Sequence, residues 1–341
     1  MPNAFFSFGP FTVSAFSIFV AFSILVSADV CIRSALMHRI KANHALVLVD
    51  TAIVFGMLFG HLLYGLSVLC VERTAYTGTI IDIISPHKGG FMLIGVFAGI
   101  ILAVNLTSAF TKEGKTGLYK SIVPAMLLLI FMVRLAEPLC GQGKGPSVDA
   151  AITNPFLGYA PEADYPDDKY FPAYLYEALY ALVLLIMNLR TTSIAKPHNN
   201  PVVYLILYLT GQSFFEILRQ DAYINYTSLA TFIRLNQLYA VIILAGILVV
   251  DTLRARNKLN IRNLLIFCCA VLLNIGAQFL FDKPLNLFGR MIYFDNLLVY
   301  IILAISSACI GYSVLSTHLT VLSHEYHGGD THDSNLAKSS C

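Results

Sequence analysis

Residues 123–145 read VPAMLLLIFMVRLAEPLCGQGKG, and this stretch decides the class of fold. An apolar run leads directly into Arg134 and Glu137, and a glycine-rich segment follows. A helix needs about 20 apolar residues to cross the hydrocarbon of a bilayer. The whole chain has the matching composition, because 57% of its 341 residues are hydrophobic and only 12% are charged. These proportions are typical of an integral membrane protein.

Nine apolar segments are long enough to span a bilayer. We therefore expect an all-α, polytopic integral membrane protein with about nine transmembrane helices. The expected spans lie near residues 11–31, 45–70, 89–110, 118–140, 171–189, 201–219, 229–252, 262–280 and 294–317.

Lysine and arginine predict the orientation of these helices. More than half of the 22 cationic residues fall in one alternate set of loops, and the other set contains the acidic run PEADYPDDK. The positive-inside rule then places the N-terminus outside and the C-terminus in the cytoplasm. The largest extramembrane segment, 141–170, is expected outside. The net charge of +2 gives no indication of nucleic-acid binding.

Ionisable residues inside membrane spans are costly and are usually functional. Arg134 and Glu137 form one such pair, three residues apart on a helix. Gln212, Glu216 and Arg219 recur at spacings of four and three residues, which gives a polar stripe on another helix. Arg134 could instead extend to the headgroups and pair locally with Glu137. Two polar stripes near the same leaflet favour a shared cavity.

The residue types in these stripes favour a phosphate ligand. Arginine offers a planar fork of donors and a charge that does not titrate away. Glycines such as Gly145 let the backbone approach a ligand closely. His87 precedes two further glycines at the start of the third span. A phospholipid headgroup fits these groups, and no residue spacing predicts a metal site or a cofactor.

Seven segments also occur in the order of a known family. They read FGPFTVSAFSIFVAFSIL (8–25), GMLFGHLLYG (56–65), SPHKGGFMLIGVFAGIILAV (85–104), VRLAEPLCGQGKG (133–145), FPAYLYEALYALVLLIMNLR (171–190), GQSFFEILRQDA (211–222) and RLNQLYAVIILAGILVV (234–250). In order and spacing, they resemble the prolipoprotein diacylglyceryl transferases, integral enzymes of the bacterial inner membrane. The third resembles that family's HGGLIG segment, the fourth its GRLGNFINGE signature and the fifth its HPSQLYE segment.

The resemblance implies an activity and its substrates. Members of this family transfer the diacylglyceryl group of phosphatidylglycerol to the lipobox cysteine thiol at the signal peptide of a prolipoprotein, and they release glycerol phosphate. The implied partners are phosphatidylglycerol, the prolipoprotein and membrane lipids, and the implied location is the bacterial inner membrane. No nucleic acid and no cofactor are implied.

The resemblance also implies roles for individual residues. Arg134 matches the signature's essential arginine, His87 the histidine of the glycine-rich motif, and Glu216 the acid of the sixth span. We expect these three residues to be catalytic, with His87 assisting deprotonation of the thiol. Gly145 matches the signature's last glycine. Tyr176 matches the end of HPSQLYE, where Glu177 follows it.

The chain departs from the family pattern at several site positions. Gln212 stands where the family has its second essential arginine, Glu137 where it has an asparagine, and Phe16 where it has a tyrosine. Arg219, two turns after Gln212, is a candidate substitute for the missing arginine. The expected lipid- and phosphate-binding residues are therefore Arg134, Glu137, Gly145, Tyr176, Gln212 and Arg219.

These observations predict three regions: a transferase-like domain over 1–255, two additional spans within 256–317, and a flexible histidine-containing cytoplasmic tail over 318–341. Two other functions stay open at this point. One is a catalytically altered or inactive relative that binds lipid or lipoprotein precursors. The other is a transporter with Arg134, Glu137 and Glu216 as a charge relay; it predicts an inverted internal repeat, and the sequence shows none.

Overall fold

The computed structural model describes most of the chain in separate stretches. The described residues are 4–8, 11–71, 90–160, 168–191, 200–220, 234–255, 258–282, 285–287, 290–292 and 296–338. His87 lies outside them.

Helices dominate the described residues. They are α1 (Ala15–Met37), α2 (Ala42–Val71), α3 (Leu93–Thr111), α4 (Lys115–Ala136), a 3-10 helix (Glu137–Cys140), α5 (Ala173–Thr191), α6 (Pro201–Leu218), α7 (Leu235–Ala255), α8 (Lys258–Asp282) and α9 (Asn296–Lys338).

Three short antiparallel hairpins connect or precede these helices. They pair β1 (Ala4–Phe8) with β2 (Phe11–Ser14), β3 (Lys144–Val148) with β4 (Lys169–Pro172), and β5 (Leu285–Leu287) with β6 (Arg290–Ile292).

Nine helices within the described ranges are long and apolar enough to cross a membrane. They run over Ala15–Met37, Ala42–Val68, Leu93–Thr111, Lys115–Cys140, Ala173–Thr191, Pro201–Leu218, Leu235–Arg254, Ile261–Phe279 and Leu297–Ser323. This confirms the expected all-α polytopic membrane protein. The first span starts later than predicted because Phe11–Ser14 is a strand and Ser14 caps α1, exchanging hydrogen bonds with Ser17.

The chain divides into two compact units. The first contains Met1–Arg190 and Phe215–Gln237. Within it, α2 packs on α3 at very close range because α3 has glycines at the contact. A Cβ at Gly95 would lie 2.4 Å from the Phe59 carbonyl oxygen, and one at Gly99 would lie 2.2 Å from that of Phe55. Small residues of this kind let membrane helices approach backbone to backbone.

The second unit contains Thr191–Phe214 and Leu238–Cys341. In it α8 packs on α9 through polar side chains as well as apolar ones. Asn274 donates to Ser306 over 2.8 Å, and Asn263 donates to Thr317 over 3.0 Å. Hydrogen bonds between helices hold such pairs together in lipid, where apolar contact alone gives little preference for a partner.

The C-terminal residues of this unit belong to a long helix. The backbone of α9 is helical as far as Lys338, through most of the segment expected to be a flexible tail. His318 belongs to the packed part of this helix: it is buried, and its Nδ1 lies 2.8 Å from an Asp251 carboxylate oxygen on α7. This contact packs α9 against α7 at residue 318. It joins residues that are 67 positions apart in the sequence.

Candidate active site

Two arginines of the first unit share the same two carboxylates. Arg134, in the last turn of α4, donates to Glu137 and places its Nε 2.7 Å from Glu177. Nη1 of Arg219, just past the end of α6, lies 3.0 Å from Glu137 and 3.2 Å from Glu177. We call these four residues the Arg–Glu cluster.

The Arg–Glu cluster is buried. The exposed fractions of its side chains are 12% for Arg134, 8% for Arg219, 7% for Glu137 and 4% for Glu177. Charges out of water interact strongly with each other and are costly when they lose a partner. The two positive and two negative formal charges balance, which makes burial of all four groups tolerable.

Local structure positions each member. Glu137 opens the 3-10 helix directly after α4, so its side chain reaches back to Arg134 three residues earlier. Glu177 lies in the second turn of α5, and its helix fixes it. Gly143 has a positive φ of 79°, and a Cβ there would lie 2.5 Å from Tyr174 Cβ and 3.1 Å from Glu137. Glycine at this position therefore lets the chain pass close to the cluster.

Glu216 lies three residues before Arg219 and is held separately. Its carboxylate accepts a hydrogen bond of 3.1 Å from the side-chain amide of Asn236, and its backbone carbonyl accepts one from Arg234. Both donors lie at the start of α7. These contacts connect the end of α6 with the beginning of α7 beside the cluster.

The structure brings together some of the residues expected from the sequence and places others elsewhere. Arg134, Glu137 and Arg219 meet in one cluster. The Tyr176 hydroxyl instead donates to the Phe156 carbonyl over 3.0 Å. Gly145 lies in β3, where a Cβ would be 2.8 Å from the Phe171 carbonyl oxygen, so its small size serves the hairpin. Gln212 belongs to the second unit and accepts a hydrogen bond from the Tyr208 hydroxyl.

Glu177 is the one member of the cluster outside the ligand-binding residues expected from the sequence, although the resemblance places it at the end of HPSQLYE. Its neighbour Tyr176 was assigned to the ligand from the motif, but successive residues of a helix point about 100° apart, since a turn takes 3.6 residues. The signal was present, because Glu177 is an acid inside an apolar helix. Asn236, which is uncharged, gave no comparable signal.

The arrangement suits a phosphate ester. Two guanidinium groups that reach the same carboxylate also lie close enough to bind one phosphate together, and arginine matches phosphate geometry well. The cluster lies at the ends of three helices that are long and apolar enough to cross a membrane, α4, α5 and α6. Fold and site together describe a polytopic membrane protein with a buried cluster of paired arginines and glutamates.

Comparison with known proteins assigns the family. The family described as prolipoprotein diacylglyceryl transferase matches residues 3–251, so most of the chain belongs to it. The chain is therefore a member of this family of transferases, and all four residues of the Arg–Glu cluster fall within the match.

Individual relatives have low sequence identity to this chain, but the matches cover most of each protein. The phosphatidylglycerol–prolipoprotein diacylglyceryl transferase of Clostridium novyi (strain NT) is 23% identical over 261 residues, which cover 75% of this chain and 97% of the relative. The enzyme of the same name from Staphylococcus aureus (strain Newman) is 24% identical and covers 70% and 84%. That of Rickettsia felis is 28% identical and covers 63% and 82%.

Proposed function

We propose that this protein transfers the diacylglyceryl group of phosphatidylglycerol to the lipobox cysteine of a prolipoprotein in the bacterial inner membrane. The observation that carries the proposal is the convergence of Arg134 and Arg219 on shared carboxylates inside the segment of the family match. The proposed orientation has the N-terminus outside, so that the cluster faces the outer leaflet.

The proposed reaction exchanges one bond to carbon for another. The cysteine sulfur, as thiolate, attacks the terminal glycerol carbon of the diacylglyceryl group. A C–S bond forms, the bond from that carbon to the phosphate oxygen breaks, and glycerol phosphate leaves with the electron pair. In this scheme His87 accepts the thiol proton, and the arginines stabilise the charge that develops on the leaving phosphate.

Arg219 supports the proposal despite glutamine at position 212. A phosphate site with a single arginine would bind its ligand through one fork only. In the structure the Arg219 guanidinium lies beside that of Arg134, because both contact Glu137 and Glu177. Arg219 therefore supplies the second cation from one turn beyond Glu216, and Glu216 is the proposed acid that keeps this end of α6 in place.

A phosphate ligand must compete with the Glu137 carboxylate for the guanidinium groups of Arg134 and Arg219. Of the two carboxylates in the cluster, Glu137 lies in a short 3-10 helix followed by glycines with positive φ, whereas Glu177 lies within α5. Its Oε2 accepts no hydrogen bond within the described part of the chain, although Arg219 lies 3.0 Å away. We propose that the phosphate replaces Glu137 on the two guanidinium groups, while Glu177 stays.

The same contacts favour one alternative function. In the described structure both arginines already have carboxylate partners, and the charges within the cluster balance. A relative that has lost catalysis could keep this balanced cluster and only bind lipid or lipoprotein precursors. Measuring product formation separates the two functions.

The direct test uses purified full-length protein in phosphatidylglycerol vesicles. A synthetic peptide with a lipobox cysteine is added, and mass spectrometry measures its gain of one diacylglyceryl group. We expect this gain with the cysteine peptide, and none with a serine peptide or in phosphatidylcholine vesicles. Binding of the peptide or of phosphatidylglycerol without any mass gain would support the non-catalytic relative and overturn the proposal.

A matched pair of arginine variants locates the site. Arg134→Ala removes a buried guanidinium of the cluster, whereas Arg33→Ala removes one that is 75% exposed and pairs with Asp29. We expect Arg134→Ala to abolish transfer and Arg33→Ala to retain it. Full activity in Arg134→Ala protein would contradict the phosphate site.

A further inference from the structure

An exposed apolar turn lies between β3 and β4 of the first unit. Its residues Asn154–Leu157 read NPFL, and the side chains of Phe156 and Leu157 are 56% and 48% exposed. Large apolar side chains exposed together outside a membrane span call for a partner surface. We call residues 154–157 the NPFL turn.

The NPFL turn lies at the level where a membrane helix begins. The Phe156 carbonyl accepts a hydrogen bond of 3.0 Å from the hydroxyl of Tyr176, which is in the first turn of α5. Just after the turn, Tyr159 pairs with Tyr170 through two hydrogen bonds of 2.9 Å. Tyr170 lies only three residues before the first residue of α5.

The amides of Phe156, Leu157 and Gly158 find their hydrogen-bond acceptors within the NPFL turn. The Asn154 carbonyl accepts hydrogen bonds of 3.0 Å from the amides of Leu157 and Gly158, and its side chain accepts one from Phe156. A turn closed by asparagine in this way keeps its shape without water. Backbone groups that enter an apolar medium need such partners, because each unsatisfied group is costly there.

Neighbouring side chains fix the segment before the turn and place aromatic rings at the start of α5. Lys169 donates to the carbonyls of Ala150 and Ile152, each over 2.6 Å, and so fixes the segment that leads into the turn. Tyr176 stacks on Phe171 with ring centroids 4.9 Å apart. Aromatic side chains that combine an apolar ring with a polar tip are enriched at the membrane–water boundary.

We propose that the NPFL turn inserts into the bilayer leaflet in which α5 begins, with Phe156 and Leu157 among the lipid acyl chains. The partner is lipid, because the turn is continuous with the lipid-facing surface of α5, on which Val183 is 53% exposed. Insertion anchors the β3–β4 hairpin, whose first strand follows Gly143 of the candidate site. This inference does not depend on transferase activity.

The chain has no tryptophan, so one introduced tryptophan reports its own surroundings. The test places it at position 156 (Phe156→Trp) in the full-length protein, reconstituted with phosphatidylcholine or with phosphatidylcholine brominated on its acyl chains. Val183→Trp is the control inside the membrane. Ala150→Trp is the control outside, because Ala150 is exposed and follows the exposed, charged Asp149.

We expect the bromolipid to quench Phe156→Trp nearly as strongly as Val183→Trp, and several-fold more than Ala150→Trp. Quenching no greater than that of Ala150→Trp would overturn the proposal, and would show that another partner or water covers the turn. Leu157→Trp, at the adjacent exposed position, provides the same measurement if the first variant does not fold.

Discussion

Glu137 is the residue at which this site differs most from a simple phosphate pocket. Its carboxylate contacts both arginines. A carboxylate there neutralises the charge that a phosphate needs, yet it also keeps two buried guanidinium groups paired while no ligand is bound.

We therefore expect the Glu137→Gln protein to bind its lipid substrate, phosphatidylglycerol, more tightly. The amide keeps the shape but no longer competes as an anion for the guanidinium groups. A hydrogen bond to a charged group is worth about 1.5–3 kcal/mol, and about 1.4 kcal/mol is tenfold in affinity. We expect KM for phosphatidylglycerol to fall by about tenfold in the transfer assay. An unchanged or higher KM would show that Glu137 does not occupy the phosphate position.

Glu177 is expected to matter for stability. Glu177→Ala removes the best-buried carboxylate of the cluster and takes one carboxylate away from both guanidinium groups. Breaking a buried ion pair costs about 3–5 kcal/mol, so the thermal midpoint in detergent should fall clearly. Asp29→Ala, at an exposed pair with Arg33, should change the free energy of unfolding by about 1 kcal/mol or less. Similar losses in both variants would contradict this role.

At the scale of elements, the closeness of α2 and α3 depends on two glycines. Gly99→Ala would place a methyl group 2.2 Å from the Phe55 carbonyl oxygen and force the helices apart. Overpacking costs about 1–3 kcal/mol. Gly246→Ala on α7 meets nothing within 4 Å, and we expect it to be neutral or stabilising. Thermal unfolding of both variants checks this, and equal stability of the two would refute the close packing.

The elements also show how far sequence reasoning extends. Hydropathy predicted nine spans, because each apolar run must be helical in lipid. It missed the β1–β2 hairpin, since Phe11–Ser14 is as apolar as a helix start. Periodicity put Glu216 and Arg219 on one stripe and paired Arg134 with Glu137, but contacts such as Arg219 to Glu177 join residues 42 apart and leave no local pattern.

At the scale of the whole molecule, α8 and α9 lie beyond the family match, which ends at residue 251. That last matched residue, Asp251, is buried against His318 of α9, with side chains 4% and 9% exposed. The two additional helices thus provide a partner for an acid inside the matched segment.

Removing residues after Ala255 should therefore destabilise what is left. The truncated chain would leave the Asp251 carboxylate facing lipid without its histidine, and an unpaired charge in a membrane span is costly. We expect a low yield of folded protein by size-exclusion chromatography. Asp251→Asn in the truncated chain should recover part of that yield, because the amide is neutral. No recovery would mean that the helices support the fold in another way.

The central claim is the transferase activity, and complementation tests it most directly. The full chain is expressed in a bacterium depleted of its own diacylglyceryl transferase, and lipid modification of a prolipoprotein is measured by its gel shift. We predict that the chain restores the shift and that its Arg134→Ala variant does not. Absence of any shift, with the chain shown to be present in the membrane, would contradict the claim.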